Sequence, residues 1–231
     1  MTTEKVSAVM PERKKARRRW YRLGPRRVQL RFAIELTLEE YVAQEGWKAA
    51  SLERCPEHPD GGCGFARHGT YLRKIPLVCW VARWYCPTAH RTFSLLPDCL
   101  AARMTGTLER AERSAVAVER GEPLEPLGAE LRPLEEEPDA VEPATVAQWI
   151  RRRHRGVLAG LVAIVGLVPE LFADCTTTVG GFRERLGKPD TVLVALRQVA
   201  AEHLQHVPPP IGFLRRATPM KPLQQSMRER R

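Results

Sequence analysis

The sequence predicts an α+β protein in which a small β unit precedes an all-α region, with basic disordered segments at both ends. Two patterns support this fold class. Short strand-forming stretches separated by Gly, Pro and Cys occupy residues 55–96, and apolar residues at helical spacing dominate after Pro97. We therefore divide the chain into a basic flexible arm (1–25), a strand, short helix and β unit (26–100), a helical region with a helix-turn-helix candidate (101–206) and a basic tail (207–231).

The first part of the chain carries strand signals interrupted by one helix signal. Apolar residues alternate with more polar ones at Val28, Leu30, Phe32, Ile34 and Leu36, a period-two pattern that predicts a half-buried strand. Thr37 followed by Glu40 has capping-box spacing and predicts a short helix through Tyr41 and Val42. Three more strands are predicted at Phe65–Arg73, Leu77–Tyr85 and Arg91–Leu95.

Helix signals begin after the β unit. Thr107 can cap a helix over residues 108–120, Gly121 can end it, and a second short helix fits residues 124–131. The strongest helix begins at Pro143, with one apolar face formed by Val146, Ile150, Val157, Leu161, Ile164 and Val168. A last helix is predicted over 191–206, because three prolines follow it.

The charge of the chain is positive and unevenly distributed. The formal net charge is +10, and residues 1–31 hold eleven basic and two acidic residues. This excess favours a polyanionic partner such as DNA, RNA or an acidic membrane surface. Between Glu122 and Glu142, by contrast, eight acidic residues accompany the single Arg132, which is typical of a solvated connection.

Neither an export signal nor a membrane span is expected. No apolar stretch follows the basic N-terminal residues, and the apolar run 157–168 is shorter than the roughly 20 residues that a bilayer requires. We therefore expect a cytoplasmic protein whose six cysteines are reduced, a setting in which clustered thiols more often hold metal than form disulfides.

Two short clusters of cysteine and histidine have the spacing of metal-binding turns. They are Cys55-Pro-Glu-His58-Pro-Asp-Gly-Gly-Cys63 and Cys86-Pro-Thr-Ala-His90, separated by 22 residues. Tetrahedral Zn²⁺ takes four such ligands. We favour Cys55, Cys63, Cys86 and His90, with His58 as the alternative to Cys63. Four protein ligands would make the site structural, whereas buried free thiols in an ordinary core are the simpler alternative.

The sequence around these clusters resembles the N-terminal zinc ribbon of bacterial insertion-sequence transposases. The resemblance covers about residues 55–100 and is carried by three runs: His68-Gly69-Thr70-Tyr71, Arg83-Trp84-Tyr85-Cys86-Pro87 and Arg91-Thr92-Phe93-Ser94-Leu95-Leu96-Pro97. It is similar in particular to short transposase-associated proteins in which a ribbon precedes a helix-turn-helix. The resemblance implies DNA recognition linked to mobile elements, with the ligand roles on Cys55, Cys63, Cys86 and His90. The chain departs from the family in its Cys-x7-Cys first pair and in having His as the last ligand.

A complete transposase is not expected. Its nuclease domain needs three acidic metal ligands on an RNase-H-like sheet. This chain has only five aspartates, and the region after the ribbon is predicted to be helical. No phosphate-binding Gly loop is present, since Gly180-Gly181 lacks the following Lys. We therefore expect a protein that is not an enzyme, acting as an accessory or regulatory factor; an inactive transposase fragment is an alternative.

Three groups of residues are candidate nucleic-acid contacts. They are Arg17, Arg18, Arg19 and Trp20 in the arm; Arg73, Lys74 and Arg83 in the ribbon, beside His68, Tyr71 and Trp84; and Thr145, Gln148, Arg151, Arg152 and Arg155 on the helix that begins at Pro143. Gln pairs with adenine and Arg with guanine in the major groove. One alternative is that this helix is an ordinary bundle helix with a solvated charged face. Others are an RNA- or ribosome-associated ribbon, and a helix over residues 157–172 that mediates self-association or binds a transposase partner.

Overall fold

The computed structural model describes residues 26–131 and 143–214 and confirms an α+β protein. The described residues form two compact units. The ribbon unit contains residues 26–32, 39–74 and 78–96, and the helical unit contains residues 33–38, 75–77, 97–131 and 143–214. The predicted arm at 1–25 and most of the predicted tail lie outside the described residues.

A four-stranded sheet and one helix form the ribbon unit. The elements are β1 (Arg26–Phe32), α1 (Leu38–Ala43), β2 (Ala66–Arg73), β3 (Cys79–Cys86) and β4 (Arg91–Pro97). The strand order is β1-β4-β3-β2, and β3 pairs antiparallel with both β2 and β4. All four predicted strands and the helix after Thr37 are confirmed. Strand β1, however, ends at Phe32, before Ile34 and Leu36 of the predicted alternation.

The two faces of this sheet differ in composition. Because side chains alternate along a strand, Ala82, Trp84 and Cys86 of β3 share a first face, and the antiparallel register adds Phe93 of β4 to it. These residues form the core of the unit together with Ala50, Cys55, Cys63 and Leu95. Trp84 is therefore a core residue, 5% exposed, which corrects the prediction that it belongs to the basic surface.

Arg67 attaches the preceding segment to this core. Its guanidinium lies 5.4 Å from the centre of the Trp84 ring and donates hydrogen bonds to the carbonyl oxygens of Trp47 at 2.7 Å and Lys48 at 3.3 Å. One cationic side chain thus joins the turn after α1 to the strands that carry the cysteines.

The helical unit contains six α-helices among the described residues. They are α2 (Leu108–Glu119), α3 (Leu124–Leu131), α4 (Pro143–Leu167), α5 (Pro169–Phe172), α6 (Val179–Arg185) and α7 (Val192–Val199), with a 3₁₀ turn at Ala201–His203. Within the described parts of the chain, no helix combines the length and hydrophobicity that crossing a bilayer requires.

The predicted helix boundaries are confirmed for α2, α3 and the start of α4. The Thr107 hydroxyl accepts a hydrogen bond from the Arg110 backbone N–H at 3.2 Å, and Gly121 has the left-handed φ of +68° that suits the end of α2. The last helix differs from its prediction over 191–206, because α7 ends at Val199 and only a 3₁₀ turn follows. The helix predicted over 157–172 is not continuous: α4 ends at Leu167 and α5 begins at Pro169, because the proline disfavours helical backbone at Val168, whose φ is −132°. Helix α6 was not predicted.

Helix α4 buries the face that its sequence predicted. Ile150, Val157, Leu161, Ile164 and Val168 are buried, and Val146 is half-buried against the same cluster of side chains as Ile150. Helices α2 and α3 both pack on α4. The contact with α3 is close: a Cβ at Gly128 would lie 1.8 Å from a Val146 methyl carbon, so only glycine fits there.

Arg197 of α7 joins residues 97–100 to residues 210–211 of the unit by hydrogen bonds. Its side chain is fully buried and donates hydrogen bonds to the carbonyl oxygens of Pro97, Asp98, Leu100, Pro210 and Ile211 at 2.8–3.3 Å. Val207, Ile211 and Phe213 are buried as well. Residues 207–214 are therefore packed into the helical unit, which corrects the prediction of a disordered tail from residue 207.

Candidate metal centre

Four candidate ligands meet in the ribbon unit. The ligand atoms of Cys55, His58, Cys63 and Cys86 all lie within 4.8 Å of one another. The three cysteines are buried and His58 is half-buried. These four residues can therefore hold one metal ion.

The first three ligands come from one turn and the loop after it. The His58 backbone N–H donates to the Cys55 carbonyl at 3.2 Å, which closes the turn and brings both side chains to the same side. Gly61, Gly62 and Gly64 have φ values of +89°, +74° and +66°, a conformation that only glycine adopts readily. These glycines reverse the loop so that Cys63 returns to the first two ligands.

The fourth ligand stands at the end of β3. Cys86 begins the turn to β4, and the Ala89 backbone N–H donates to its Sγ at 3.3 Å. The Thr88 hydroxyl donates to the Cys63 carbonyl at 3.4 Å. The loop that carries Cys63 thus lies against the turn that carries Cys86.

Two of the distances between these atoms match tetrahedral coordination. His58 Nδ1 lies 3.6 Å from Cys55 Sγ and 3.5 Å from Cys86 Sγ. With Zn–S bonds of about 2.3 Å and a Zn–N bond of about 2.0–2.1 Å, a tetrahedral angle puts sulfur and nitrogen about 3.5–3.6 Å apart. The geometry is therefore compatible with zinc, and four protein ligands would complete its coordination.

The environment shifts the pKa values of the Cys55 and Cys86 thiols in opposite directions. Burial raises the pKa of Cys55, although the backbone N–H groups of Glu57 and His58 act in the opposite direction. Burial also acts to raise the pKa of Cys86, but the N–H of Ala89, the side chains of Cys55 and Cys63 and the N–H of Thr88 together lower it.

His90 lies outside this group of ligands, which corrects our favoured set. It is exposed, its φ is +48°, and its Nδ1 lies 3.1 Å from the Tyr85 hydroxyl, within hydrogen-bond distance. His58 takes its place, and Cys63, for which His58 was the alternative, is retained. The short Cys55-x2-His58 spacing and the glycines on both sides of Cys63 are the sequence signals for this arrangement.

The candidate nucleic-acid contacts lie on both units. On α4, Thr145, Gln148, Arg151, Arg152 and Arg155 are all exposed. In the ribbon unit, Lys74 is exposed and Arg73 half-buried, while Arg83 donates to the Thr70 carbonyl at 2.7 Å. The four arm residues from Arg17 to Trp20 lie outside the described residues.

Arg153 differs from its neighbours on α4. It is 4% exposed, its guanidinium lies 4.6 Å from the centre of the Trp149 ring, and both of its terminal nitrogens donate to the Thr105 carbonyl at 3.1 Å. In a run of three consecutive arginines, therefore, Arg153 packs in the fold while Arg151 and Arg152 face solvent.

Comparison with protein-family models, with curated proteins and with solved structures finds no match for this chain.

Proposed function

We propose that this protein is a zinc-stabilised DNA-binding protein without catalytic activity of its own, which presents the first half of α4 to duplex DNA. In this proposal zinc holds the ribbon unit together, and the protein acts as an accessory or regulatory factor of a mobile element. The metal proposal is supported by the match between the Sγ–Nδ1 distances and tetrahedral zinc.

The exposed basic stripe of α4 carries the DNA-binding proposal. Thr145, Gln148, Arg152 and Arg155 follow one another at intervals of three or four residues and so share a helix face, with Arg151 beside them. Arg151, Arg152 and Arg155 make no ion pair or hydrogen bond with any residue in 26–131 or 143–214. Side chains that fold stability does not engage are available to phosphates and base edges.

The size of this stripe suits the major groove. Ten residues of helix span about 15 Å, and the groove of B-DNA, about 12 Å wide, admits a single α-helix. Arginine can contact phosphates or pair with guanine, and glutamine with adenine. The deep and narrow major groove of duplex RNA excludes a helix, which favours DNA over the RNA alternative.

Charge removal on α4 tests this proposal. We expect a variant with Arg151, Arg152 and Arg155 changed to Ala to bind duplex DNA more weakly in fluorescence anisotropy. The slope of log affinity against log salt concentration should fall by up to about 2.7, because each lost phosphate contact accounts for about 0.9. Alanine keeps the helix propensity high, so the fold should be unchanged.

A matched variant removes the same charge elsewhere. Within residues 26–131 and 143–214, the side chains of Lys48, Arg120 and Lys188 make only exposed ion pairs, which contribute little to stability. Their change to Ala should leave DNA affinity near that of the wild type. An equal loss in both variants, or equal or tighter binding of duplex RNA, would contradict the proposal. Mg²⁺-dependent strand cleavage by the pure protein would contradict its non-catalytic part.

A second function is favoured by the other half of the same helix face. The stripe continues as Ala159, Val162 and Gly166, all exposed, and Val162 is 55% exposed. An apolar patch of this kind suits self-association or a partner protein. Concentration-dependent dimerisation that Val162→Glu abolishes, without change in DNA binding, would support this alternative.

A further inference from the structure

The second face of the ribbon sheet carries an aromatic and basic surface that neither the metal site nor α4 uses. We propose that this surface binds unpaired nucleotides by stacking their bases on Tyr85, His68 and Tyr71. The proposal rests on the proposed nucleic-acid-binding function and adds a second mode of binding to it.

The composition of the sheet determines the class of partner. Its four strands contain seven arginines and no aspartate or glutamate. One of these arginines, Arg91, is paired with Glu57 from outside the sheet. A sheet with this charge attracts phosphate and repels acidic surfaces, so a nucleic-acid strand suits it better than an acidic protein segment.

The rings lie along the second face, with Tyr85 and His68 towards one end of β3 and Tyr71 opposite Val81. By strand alternation, Val81, Arg83 and Tyr85 of β3 share this face, and Tyr71 pairs with Val81 across the hairpin. Cys79 and Val81 are buried, whereas Tyr71, Arg83 and Tyr85 are half-exposed and His68 is exposed. The face is therefore covered at one end and open at the other.

Tyr85 is the centre of the open end. The His68 ring lies 5.5 Å from the Tyr85 ring at an angle of 41°, and the Tyr85 hydroxyl lies 3.1 Å from His90 Nδ1. Two imidazoles thus border one phenol ring and restrict its orientation. A ring held in place loses less conformational entropy when a base stacks on it.

Arg83 and Tyr71 form a neighbouring stacking element. The Arg83 guanidinium lies 5.9 Å from the centre of the Tyr71 ring and is tied to the Thr70 carbonyl by a 2.7 Å hydrogen bond. Aromatic rings and guanidinium planes on a sheet are the groups on which unstacked bases lie in single-strand recognition. Paired bases present only their edges, so this surface suits unpaired nucleotides.

The experiment compares a short fluorescent oligothymidine, the corresponding oligouridine and an abasic strand of equal length. If bases stack on the sheet, wild-type protein should bind at least one of the first two about 5- to 150-fold more tightly than the abasic strand, the factor expected per stacked base. Tyr85→Ala and His68→Ala should reduce this ratio towards one. Tyr85→Phe keeps the ring and should preserve it.

Zinc content and circular dichroism of each variant establish that the ribbon is folded. If Tyr85→Ala loses zinc, the exposed His68→Ala and the conservative Tyr85→Phe decide the outcome. A ratio near one in the wild type, or one that His68→Ala leaves unchanged, would overturn the inference.

The α4 variant separates this result from the proposed function. If the Arg151, Arg152 and Arg155 triple variant retains duplex binding but Tyr85→Ala still lowers the base-dependent ratio, the α4 proposal fails and the sheet proposal stands. If instead the triple variant binds duplex DNA more weakly and Tyr85→Ala leaves the base-dependent ratio unchanged, only the sheet proposal is rejected.

Discussion

The ribbon unit and the helical unit are stabilised by different means. In the ribbon unit, three thiols and an imidazole converge without any disulfide among the described cysteines. In the helical unit, buried Arg197 and Glu112 bond backbone groups of neighbouring segments, and apolar faces of helices pack together. A metal ion bound by these four residues would therefore add to the apolar core of the first unit, as buried charges add to the apolar packing of the second. The two units should respond differently to chelation, acid and substitution.

Metal removal should give the largest effect. Structural zinc contributes about 10–16 kcal/mol to the folding of small zinc-finger peptides, so Cys86→Ser or a strong chelator should unfold the ribbon unit. We expect Trp84 fluorescence to shift to that of an exposed indole while helical circular dichroism persists. Cys175→Ser, which removes a thiol of the helical unit, is the matched control. Equal loss of helical signal after chelation would contradict the proposal that metal stabilises the ribbon unit and not the helical unit.

Substitution of His58 and of His90 tests which of the two histidines is a metal ligand. His58→Ala removes a ligand and should weaken zinc binding by more than the roughly 10–100-fold that loss of an outer-shell partner costs. His90→Ala removes only a surface contact with Tyr85 and should leave zinc affinity nearly unchanged. Competition with a chromophoric chelator measures both. A larger loss for His90→Ala would restore the set that the sequence first favoured.

The sequence predicted most of the elements, because their signals are local. Strand-forming stretches bounded by Gly, Pro and Cys identify β2, β3 and β4, and the Thr107 cap and Gly121 set the limits of α2. The packing of residues 207–214 was missed. Three consecutive prolines predict the end of a helix, but nothing local predicts that Arg197 bonds the carbonyls that follow.

The candidate site was predicted only in part, because only part of its signal is local. Cys55, Cys63 and Cys86 could be proposed from residue type and spacing alone. The choice between His58 and His90 depended on how two turns approach each other, which is a long-range property. His90 follows Cys86 by four residues, yet its backbone turns the side chain to Tyr85.

Substitution of Arg197 should give the next largest effect, confined to the helical unit. In Arg197→Leu several buried carbonyl oxygens lose their donor, each at a cost of about 1–3 kcal/mol, so the unfolding free energy should fall by about 3–5 kcal/mol. Denaturant unfolding followed by helical circular dichroism measures this change.

Arg185→Leu is the control for Arg197→Leu. Arg185 is exposed, and its side chain donates a hydrogen bond to the Leu171 carbonyl at 2.7 Å. Its loss should cost less than about 1.5 kcal/mol. Zinc content should not change in either variant, and an Arg197→Leu protein as stable as the control would refute the role assigned to the buried guanidinium.

The smallest expected effect is the pH dependence contributed by two glutamates of the helical unit. Glu112 accepts a hydrogen bond from the Leu193 N–H at 3.0 Å and pairs with Arg183, yet burial raises its pKa above the ordinary 4.5. The folded state therefore binds this proton more tightly than the unfolded state. The contribution is fully present below pH 4.5 and is lost as the pH rises through the raised pKa.

Glu130 should show the opposite dependence. Its bond to Arg113 lowers its pKa below 4.5, so its contribution is present above that value and is lost as the pH falls through the lowered pKa. Unfolding free energies measured across the acid range by helical circular dichroism test both. Relative to wild type, Glu112→Gln should gain stability with rising pH above 4.5, and Glu130→Gln should lose it with rising pH below 4.5. If the stability difference from wild type changes with pH in the same direction for both variants, burial does not dominate the pKa of Glu112. The pairing of Glu112 with Arg183 would then outweigh desolvation, as the pairing of Glu130 with Arg113 does.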